Sequence, residues 1–357
     1  MSLSIAIVGL PNVGKSTLFN ALTNNQVLAA NYPFATIEPN TGVVPMPDER
    51  LLELAKLSPT AKVVPASITF VDVAGLVAGA SRGEGLGNQF LAHIRSSNAI
   101  VQVVRAFKDS NVQHVDDKNS PKKDIETINT ELALADLETI EKRLPHLEKE
   151  AKANAKLKPM LDTLQNARQL LNEGASITKS EIDTEHINDL QLLSLKPIIY
   201  LFNLDDTHPS DAELKKELAD LVVPSSSLFV CAKLEDELKD LDETDARELL
   251  KSYGQNESGL VQLIRAAYDT LGLQSYLTAG DKEVRAWTIK KGSTAPEAAG
   301  VIHGDFERGF IAADIVNFND LITAGSWANA RAAGKVRTEG KTYIMQDGDV
   351  VDFKFNV

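Results

Sequence analysis

Gly9-Leu10-Pro11-Asn12-Val13-Gly14-Lys15-Ser16 has the form G-x-x-x-x-G-K-S; the apolar run Ile5-Ala6-Ile7-Val8 precedes it and Thr17-Leu18-Phe19 opens a helical pattern behind it. A strand before and a helix after are the context in which this motif cradles phosphate. The glycines let backbone N–H groups wrap a polyphosphate at a helix N-terminus, Lys15 adds a point charge for the outer phosphates, and the Ser16 hydroxyl is a ligand for Mg²⁺. Asn12, Val13, Gly14, Lys15, Ser16 and Thr17 are therefore the expected nucleotide contacts. An ordinary glycine-rich strand–helix turn is the bland alternative, but a chance match in a chain of this length arises about once in a hundred.

Outward from this motif, apolar runs alternate with helical patterns: Ile68-Thr69-Phe70-Val71, Ala99 to Val104, Ile198 to Phe202 and Leu228-Phe229-Val230 read as further strands. That alternation marks an α/β unit with a mostly parallel sheet. Between the third and fourth runs, Leu134, Leu137, Leu144, Leu147 and Ala151, then Leu157, Leu161, Leu164 and Leu171, recur at helical spacing. Two antiparallel helices are expected there, with a kink at Pro145, a turn near Pro159 and a stop at Asn172-Glu173-Gly174. After about residue 280 the texture turns to short β-type runs, with an Asp347-Gly348 turn and a small helix after Pro296. The expected domains are 1–120 with 197–280, an inserted helical domain at 121–196, and a mixed β domain at 281–357.

The 357 residues are 43% hydrophobic and 24% charged, which excludes disordered and low-complexity classes. No run of 18 apolar residues occurs, and the N-terminus enters a strand with no basic flank, so a cytoplasmic protein without a membrane segment is expected. Cys231 is the one cysteine, which excludes an internal disulfide. The net charge of −13 argues against a polyanionic partner until its distribution is read: residues 197–280 carry 7 basic and 16 acidic groups, leaving the other segments near balance. Two basic windows stand out, Lys142, Arg143, Lys149, Lys152, Lys156 and Lys158, and Arg331, Lys335, Arg337 and Lys341. Each is either a solvated face or a surface for a polyanion.

The motif predicts further parts, and they occur in order. Asp72-Val73-Ala74-Gly75 ends the second strand run, placing Asp72 for a magnesium-bound water and the Gly75 amide for the outermost phosphate. Thr36 is the expected switch threonine on the metal, with Thr41 as the fallback. Asn203-Leu204-Asp205-Asp206 and Cys231-Ala232-Lys233 follow the fourth and fifth strand runs, where a base pocket closes; Asn203, Leu204, Asp206, Cys231 and Ala232 are its candidates.

These residues, with the segment Ala30 to Pro45, the stretch Gly83-Glu84-Gly85-Leu86-Gly87-Asn88-Gln89-Phe90-Leu91, and Ala286-Trp287-Thr288, resemble the YchF family of Obg-related P-loop NTPases over essentially the full length. The resemblance implies an OBG-type G domain, an inserted coiled-coil-like helical domain and a C-terminal TGS domain of β-grasp type. It also implies ATP before GTP, since Leu204 replaces the lysine of the guanine-reading N-K-x-D; Asp206, where the family has Glu, keeps GTP open. Leu76 stands where Ras-like enzymes have a water-orienting Gln, and the resemblance offers His114 as the catalytic group beside Lys15, with His93 as a rival. Gly79, Gly83, Gly85 and Gly87 mark a switch candidate.

The expectation is a monomeric, Mg²⁺-dependent NTPase, ATP over GTP, that works as a slow switch and attaches to the ribosome, with rRNA contacted through windows 142–158 and 331–341. The alternatives are a nucleotide-stabilised ribosome- or RNA-binding module with incidental hydrolysis, a GTP-specific switch, and a metabolic kinase, for which no acceptor motif is seen.

Overall fold

The computed structural model describes residues 3–24, 41–57, 62–73, 86–107, 120–177, 182–205, 211–280 and 282–356. Its elements run β1 (Ser4–Val8), α1 (Lys15–Asn24), β2 (Thr41–Pro45), α2 (Glu49–Leu57), β3 (Lys62–Val64), β4 (Ser67–Asp72), α3 (Leu86–Ser96), β5 (Ala99–Arg105), α4 (Pro121–Ala153), α5 (Lys158–Asn172), β6 (Ile198–Asn203) and α6 (Ala212–Asp220). They continue through β7 (Ser226–Val230), α7 (Ala232–Leu238), α8 (Glu243–Ser252), α9 (Gly259–Thr270), β8 (Leu273–Ala279), β9 (Glu283–Lys290), α10 (Ala295–Ile302), α11 (Gly304–Arg308), β10 (Phe310–Asn317), α12 (Phe318–Ala324), α13 (Trp327–Ala332), β11 (Arg337–Glu339) and β12 (Asp349–Phe355). No helix among the described residues is long and apolar enough to cross a membrane. One compact unit carries Met1–Leu22 with Thr69–Leu260, the other Val43–Ile68 with Val261–Val357.

The first unit is an α/β fold on a sheet of order β2-β4-β1-β5-β6-β7. Around β1 the ladders are parallel, Ile7 opposite Asp72 on β4 and Val8 opposite Gln102 on β5. All seven residues of β5 are buried, the continuous run expected of a parallel strand covered on both faces. The chain places β4 on one side of β1 and the next strand, β5, on the other. The end of β1 is thus a switch point of the sheet, where α/β folds open a crevice at the carboxyl ends of their strands.

The helical insertion is a hairpin. The Ser120 hydroxyl caps α4, Pro121 occupies its first turn, and the helix continues through Pro145 to Ala153 without a break. Pro159 lies in the first turn of α5, and Gly174, at φ +73°, follows its end. Ile140, Leu144 and Leu147 of α4 bury against Leu164, Ala167 and Leu171 of α5. Two polar clamps fasten the hairpin. Asp136, fully buried on α4, accepts from the Leu193 and Ser194 amides, each at 2.8 Å, and from the Ser194 hydroxyl at 2.7 Å. Arg95, at the end of α3, donates to the carbonyls of Leu190 and Gln191 and, at 3.1 Å, to the Thr139 hydroxyl on α4.

The second unit is a mixed sheet of order β11-β10-β12-β8-β9-β3. The β8–β9 hairpin pairs from Leu273 with Lys290 to Ala279 with Val284, and β12 runs parallel to β8. Strand β8, which the sequence reading counted with the first domain, is therefore part of this sheet. Val43–Ile68 is a second difference: β3 pairs in parallel with β9, and Arg50 in the first turn of α2 bridges Asp48 and Asp347 at 2.8 and 2.7 Å. Helix α10 closes the core, its Ala295, Ala298 and Ala299 lying against Tyr276, Phe310 and Ile315. Alanines allow this close approach, and the Tyr276 hydroxyl donates to the Ala298 carbonyl at 2.9 Å.

Asp314 on β10 has a side chain with no solvent exposure, and it accepts from Lys354 at 2.7 Å, Thr338 at 2.6 Å and Arg331 at 2.8 Å. Burial alone pushes this carboxyl up, but the three donors outweigh it and hold it well below the usual carboxylate range. A carboxylate depressed in the folded state stabilises above its ordinary pKa near 4 and loses that contribution as pH falls below it. Asp314→Asn is expected to cost about 2 kcal/mol at pH 7, less than the loss of one partner from a wholly buried pair because Arg331 and Lys354 are half-exposed. The difference from the parent should shrink below about pH 4, which thermal melts across pH would read.

Candidate functional site

The loop from Gly9 to Ser16 follows β1 at the switch point, and its shape is set by what surrounds it. A Cβ on Gly9 would lie 2.6 Å from the Val103 carbonyl oxygen, and one on Gly14, at φ +98°, would lie 2.4 Å from Asn203 Nδ2. Asn12 is left-handed at φ +61° without being glycine, a strained conformation of the kind held at ligand loops. The first α1 ladder bond runs from Leu18 N–H to the Gly14 carbonyl at 3.0 Å, so the amides of Lys15, Ser16 and Thr17 precede the ladder. Ser16 and Thr17 are exposed, whereas Lys15 is 7% exposed.

Lys15 donates from Nζ to the Leu10 carbonyl at 2.7 Å. Burial lowers its pKa to about 8, against the pull of Asp72. Asp72, at the end of β4, is in turn pushed up by burial and held down by Lys15. Its Oδ1 is buried without a hydrogen-bond partner. An unpartnered carboxylate oxygen is costly, and a hard divalent cation with its waters is the chemistry that satisfies one. The exposed hydroxyl of Ser16 supplies a second oxygen, so the residues fit Mg²⁺; among the described residues no group of three or more acidic, His or Cys side chains could hold a metal unaided.

Asn203 closes the other side. Its Nδ2 donates to the Val13 carbonyl and its Oδ1 accepts from the Ala232 amide, both at 3.0 Å. Leu204 donates its own amide to the Val230 carbonyl at 2.7 Å and turns its side chain into the cluster of Phe202, Leu218 and Val222. Cys231 is likewise buried, among Leu234, Leu238 and Leu250. The structure thus brings Asn12 to Thr17, Asp72, Asn203, Leu204, Cys231 and Ala232 to one end of the sheet, with Leu204 and Cys231 giving backbone only. Thr36, Gly75, Asp206 and His114 lie outside the described residues, as do Leu76 and the glycines at 79, 83 and 85.

One buried group had no signal in the sequence. Glu235 on α7 accepts from the Ser258 hydroxyl and the Gly259 amide, both at 2.6 Å, and so fixes the start of α9 behind the Ala232 loop.

Residues 4–141 match a family described as 50S ribosome-binding GTPase, and residues 273–356 match YchF-GTPase_C, described as a protein of unknown function (DUF933). The protein called Ribosome-binding ATPase YchF in Bacillus subtilis (strain 168) is 49% identical over 366 residues, covering 100% of both chains. The one in Escherichia coli O157:H7 is 48% identical over 363 residues, again covering 100% of both.

The chain belongs to the YchF family. The solved YchF GTPase of Schizosaccharomyces pombe superposes with a TM-score of 0.87 at 40% identity, covering 99% of this chain and 98% of that one. Membership places the G-domain P-loop NTPase fold beyond its local motifs, because the match runs through both compact units.

Asn203 engages its Nδ2 amide with one loop of the YchF-family site and its carbonyl oxygen with another, so its removal loosens both. Asn203→Ala is expected to weaken nucleotide binding by about 30-fold or more, from two lost hydrogen bonds of about 1 kcal/mol each, read by calorimetric titration. Gly14→Ala should abolish binding, since both the clash and the positive φ oppose it.

Proposed function

We propose that this chain is a magnesium-dependent ATPase, cleaving ATP, and GTP less well, to diphosphate and phosphate, whose nucleotide state controls attachment to the ribosome. The observation that carries the reading is the pair formed by Lys15, parked on its own loop's carbonyl, and Asp72, with a buried oxygen unpartnered at the switch point. The relatives in Bacillus subtilis and Escherichia coli, both called ribosome-binding ATPases, support the ribosome and the ATPase activity. In this reading the protein acts beside ribosomes in the cytoplasm, as a monomer. The unit built on the first sheet is then the G domain with residues 121–196 as its helical insertion, and the TGS domain is the second sheet, which adds β3 and β8 to residues 281–357.

Residues 12–17 hold the phosphates. Lys15 exchanges the Leu10 carbonyl for the outer phosphate oxygens, which restores the charge that burial disfavours. Ser16, Asp72 and Thr36 would hold Mg²⁺, which when bound offsets the charge on the terminal phosphates. The Gly75 amide contacts the outermost phosphate. Leu76 cannot hydrogen-bond a water, and His114 orients it instead.

Base choice follows from which pocket groups are engaged. The Ala232 amide already donates to Asn203, and the Leu204 amide to Val230. What Leu204 retains is a carbonyl, an acceptor that suits the adenine amino group and opposes guanine O6. Asp206, a carboxylate able to accept from guanine N–H groups, is what leaves the site some affinity for GTP.

Leu76 also favours a second reading, in which the nucleotide stabilises a binding module and hydrolysis is incidental. A ribosome-stimulated rate separates the two. Titration with ATP and GTP in Mg²⁺ and in EDTA is expected to give tighter binding of ATP and loss of binding without the metal; a clear GTP preference overturns the base assignment. His114→Ala should lower kcat at least tenfold with nucleotide affinity nearly unchanged, measured as phosphate release; equal turnover removes His114 from the mechanism.

A further inference from the structure

The two basic windows differ once their partners are known. In 331–341, Arg331 is held by Asp314 at 2.8 Å, Lys335 by Asp320 at 3.2 Å and Arg337 by Glu339 at 3.4 Å, leaving Lys341. Near 142–158, Lys142 pairs with Glu138, and Arg143 takes both oxygens of Glu150, at 3.0 and 2.8 Å. Beyond these two, Lys149, Lys152, Lys156 and Lys158 are all exposed and reach no carboxylate among the described residues. Arg143 has already engaged Glu150, so Glu148 and Asp162 are the nearby acids left to oppose four cations.

Their placement is as telling as their charge. Lys149 and Lys152 sit on the last turns of α4, Lys156 in the 3₁₀ turn Ala155–Leu157, and Lys158 at the start of α5. All four therefore share the closed end of the hairpin, past the packed layers of Leu144 and Leu147. Lys149 lies 24 residues beyond Ile125, which anchors α4 among Val104, Tyr200 and Phe202, a span of about 36 Å along the helix.

We infer that the hairpin's closed end docks on the phosphate backbone of RNA, through Lys149, Lys152, Lys156 and Lys158. This rests on the ribosome reading above and assigns its RNA contact to one element. A protein interface needs an apolar centre, and none of the exposed large hydrophobic residues falls between 142 and 162. The same stretch has no Phe, Tyr or Trp to stack a base, and His146 is its one aromatic ring. Its cations at the tip are lysines, point charges without the planar fork that reads carboxylates or guanine edges in pairs. Such a surface contacts phosphates irrespective of sequence and releases their counterions.

The test replaces all four with glutamine in the full chain, Lys149→Gln, Lys152→Gln, Lys156→Gln and Lys158→Gln, and compares it with Lys335→Gln/Lys341→Gln. Surface changes of this kind are expected to leave Tm within about 2 °C, which verifies the fold. Co-sedimentation with ribosomes and fluorescence anisotropy with a short RNA duplex are each followed across a salt series. The expected result is a slope of log affinity against log salt that falls by about 3 in the fourfold variant and by less than 1 in the double variant. A fourfold variant with the parent's slope on ribosomes that the parent does bind overturns the inference and leaves the ribosome reading standing, with a protein contact as the occupant. If the parent binds no ribosomes, that reading fails by itself. The duplex then decides the tip: a slope lost in the fourfold variant supports it, and equal slopes overturn it.

Discussion

The Asn203 amide ties the phosphate loop to the base loop, and the geometry of the site hangs on that tie. A carboxamide presents a donor and an acceptor at opposite corners of one rigid plane, and here the donor meets Val13 while the acceptor meets Ala232. Aspartate would turn a second acceptor toward the Val13 carbonyl, and leucine would leave both backbone groups buried and unpaired. Gly14 is the complement of this arrangement: with Asn203 Nδ2 only 2.4 Å from where its Cβ would stand, the loop can approach Asn203 only without a side chain. The sheet makes the tie possible by bringing residues 190 apart in sequence to adjacent strand ends.

Across the same loop, Lys15 and Asp72 moderate each other. Burial disfavours the charge on both, lowering the lysine and raising the acid, and each is the other's main counterweight. A phosphate chain and a divalent cation satisfy both at once, because the anion goes to the lysine and the cation to the acid. That is an energetic reason for metal and nucleotide to bind together: either alone would leave one buried charge less well compensated.

The fold was legible in the sequence where a chemical constraint repeated. The P-loop glycines, the all-apolar run of β5 and the helical spacing from Leu134 to Leu171 each announced an element, since parallel strands and hairpin cores leave periodic traces. What escaped were placements set by tertiary pairing. Lys62-Val63-Val64 is too short to show an alternation, and only its ladder with β9 reveals its sheet. The clamp residues Asp136 and Arg95 read as ordinary helix-surface charges until the carbonyls and amides they meet are known. Leu204 and Cys231 stood at the right positions for a base pocket, yet backbone direction at the strand ends turns both side chains into the core. Sequence spacing locates a residue along the chain and leaves its facing to the packing.

The clamps give the hairpin its mechanical meaning. Helix α3 starts 14 residues after Asp72 and carries Arg95 in its last turn, whose guanidinium holds Thr139 on α4 and two carbonyls at the left-handed turn of Gln191, φ +48°. Asp136, one turn before Thr139, holds Leu193 and Ser194 on the chain that leads back into β6. Both clamps grip the middle of α4, while its N-terminal end packs on the sheet and its far end packs on α5. A rod gripped at its middle and free at its tip converts a small rotation at the grip into a larger displacement at the end. A shift of α3 at Arg95 would reach α4 through the Thr139 hydroxyl and, along the helix, the lysine-bearing turn. Packed interiors transmit such shifts because they resist compression, and the layers from Ile140 to Leu171 supply that stiffness.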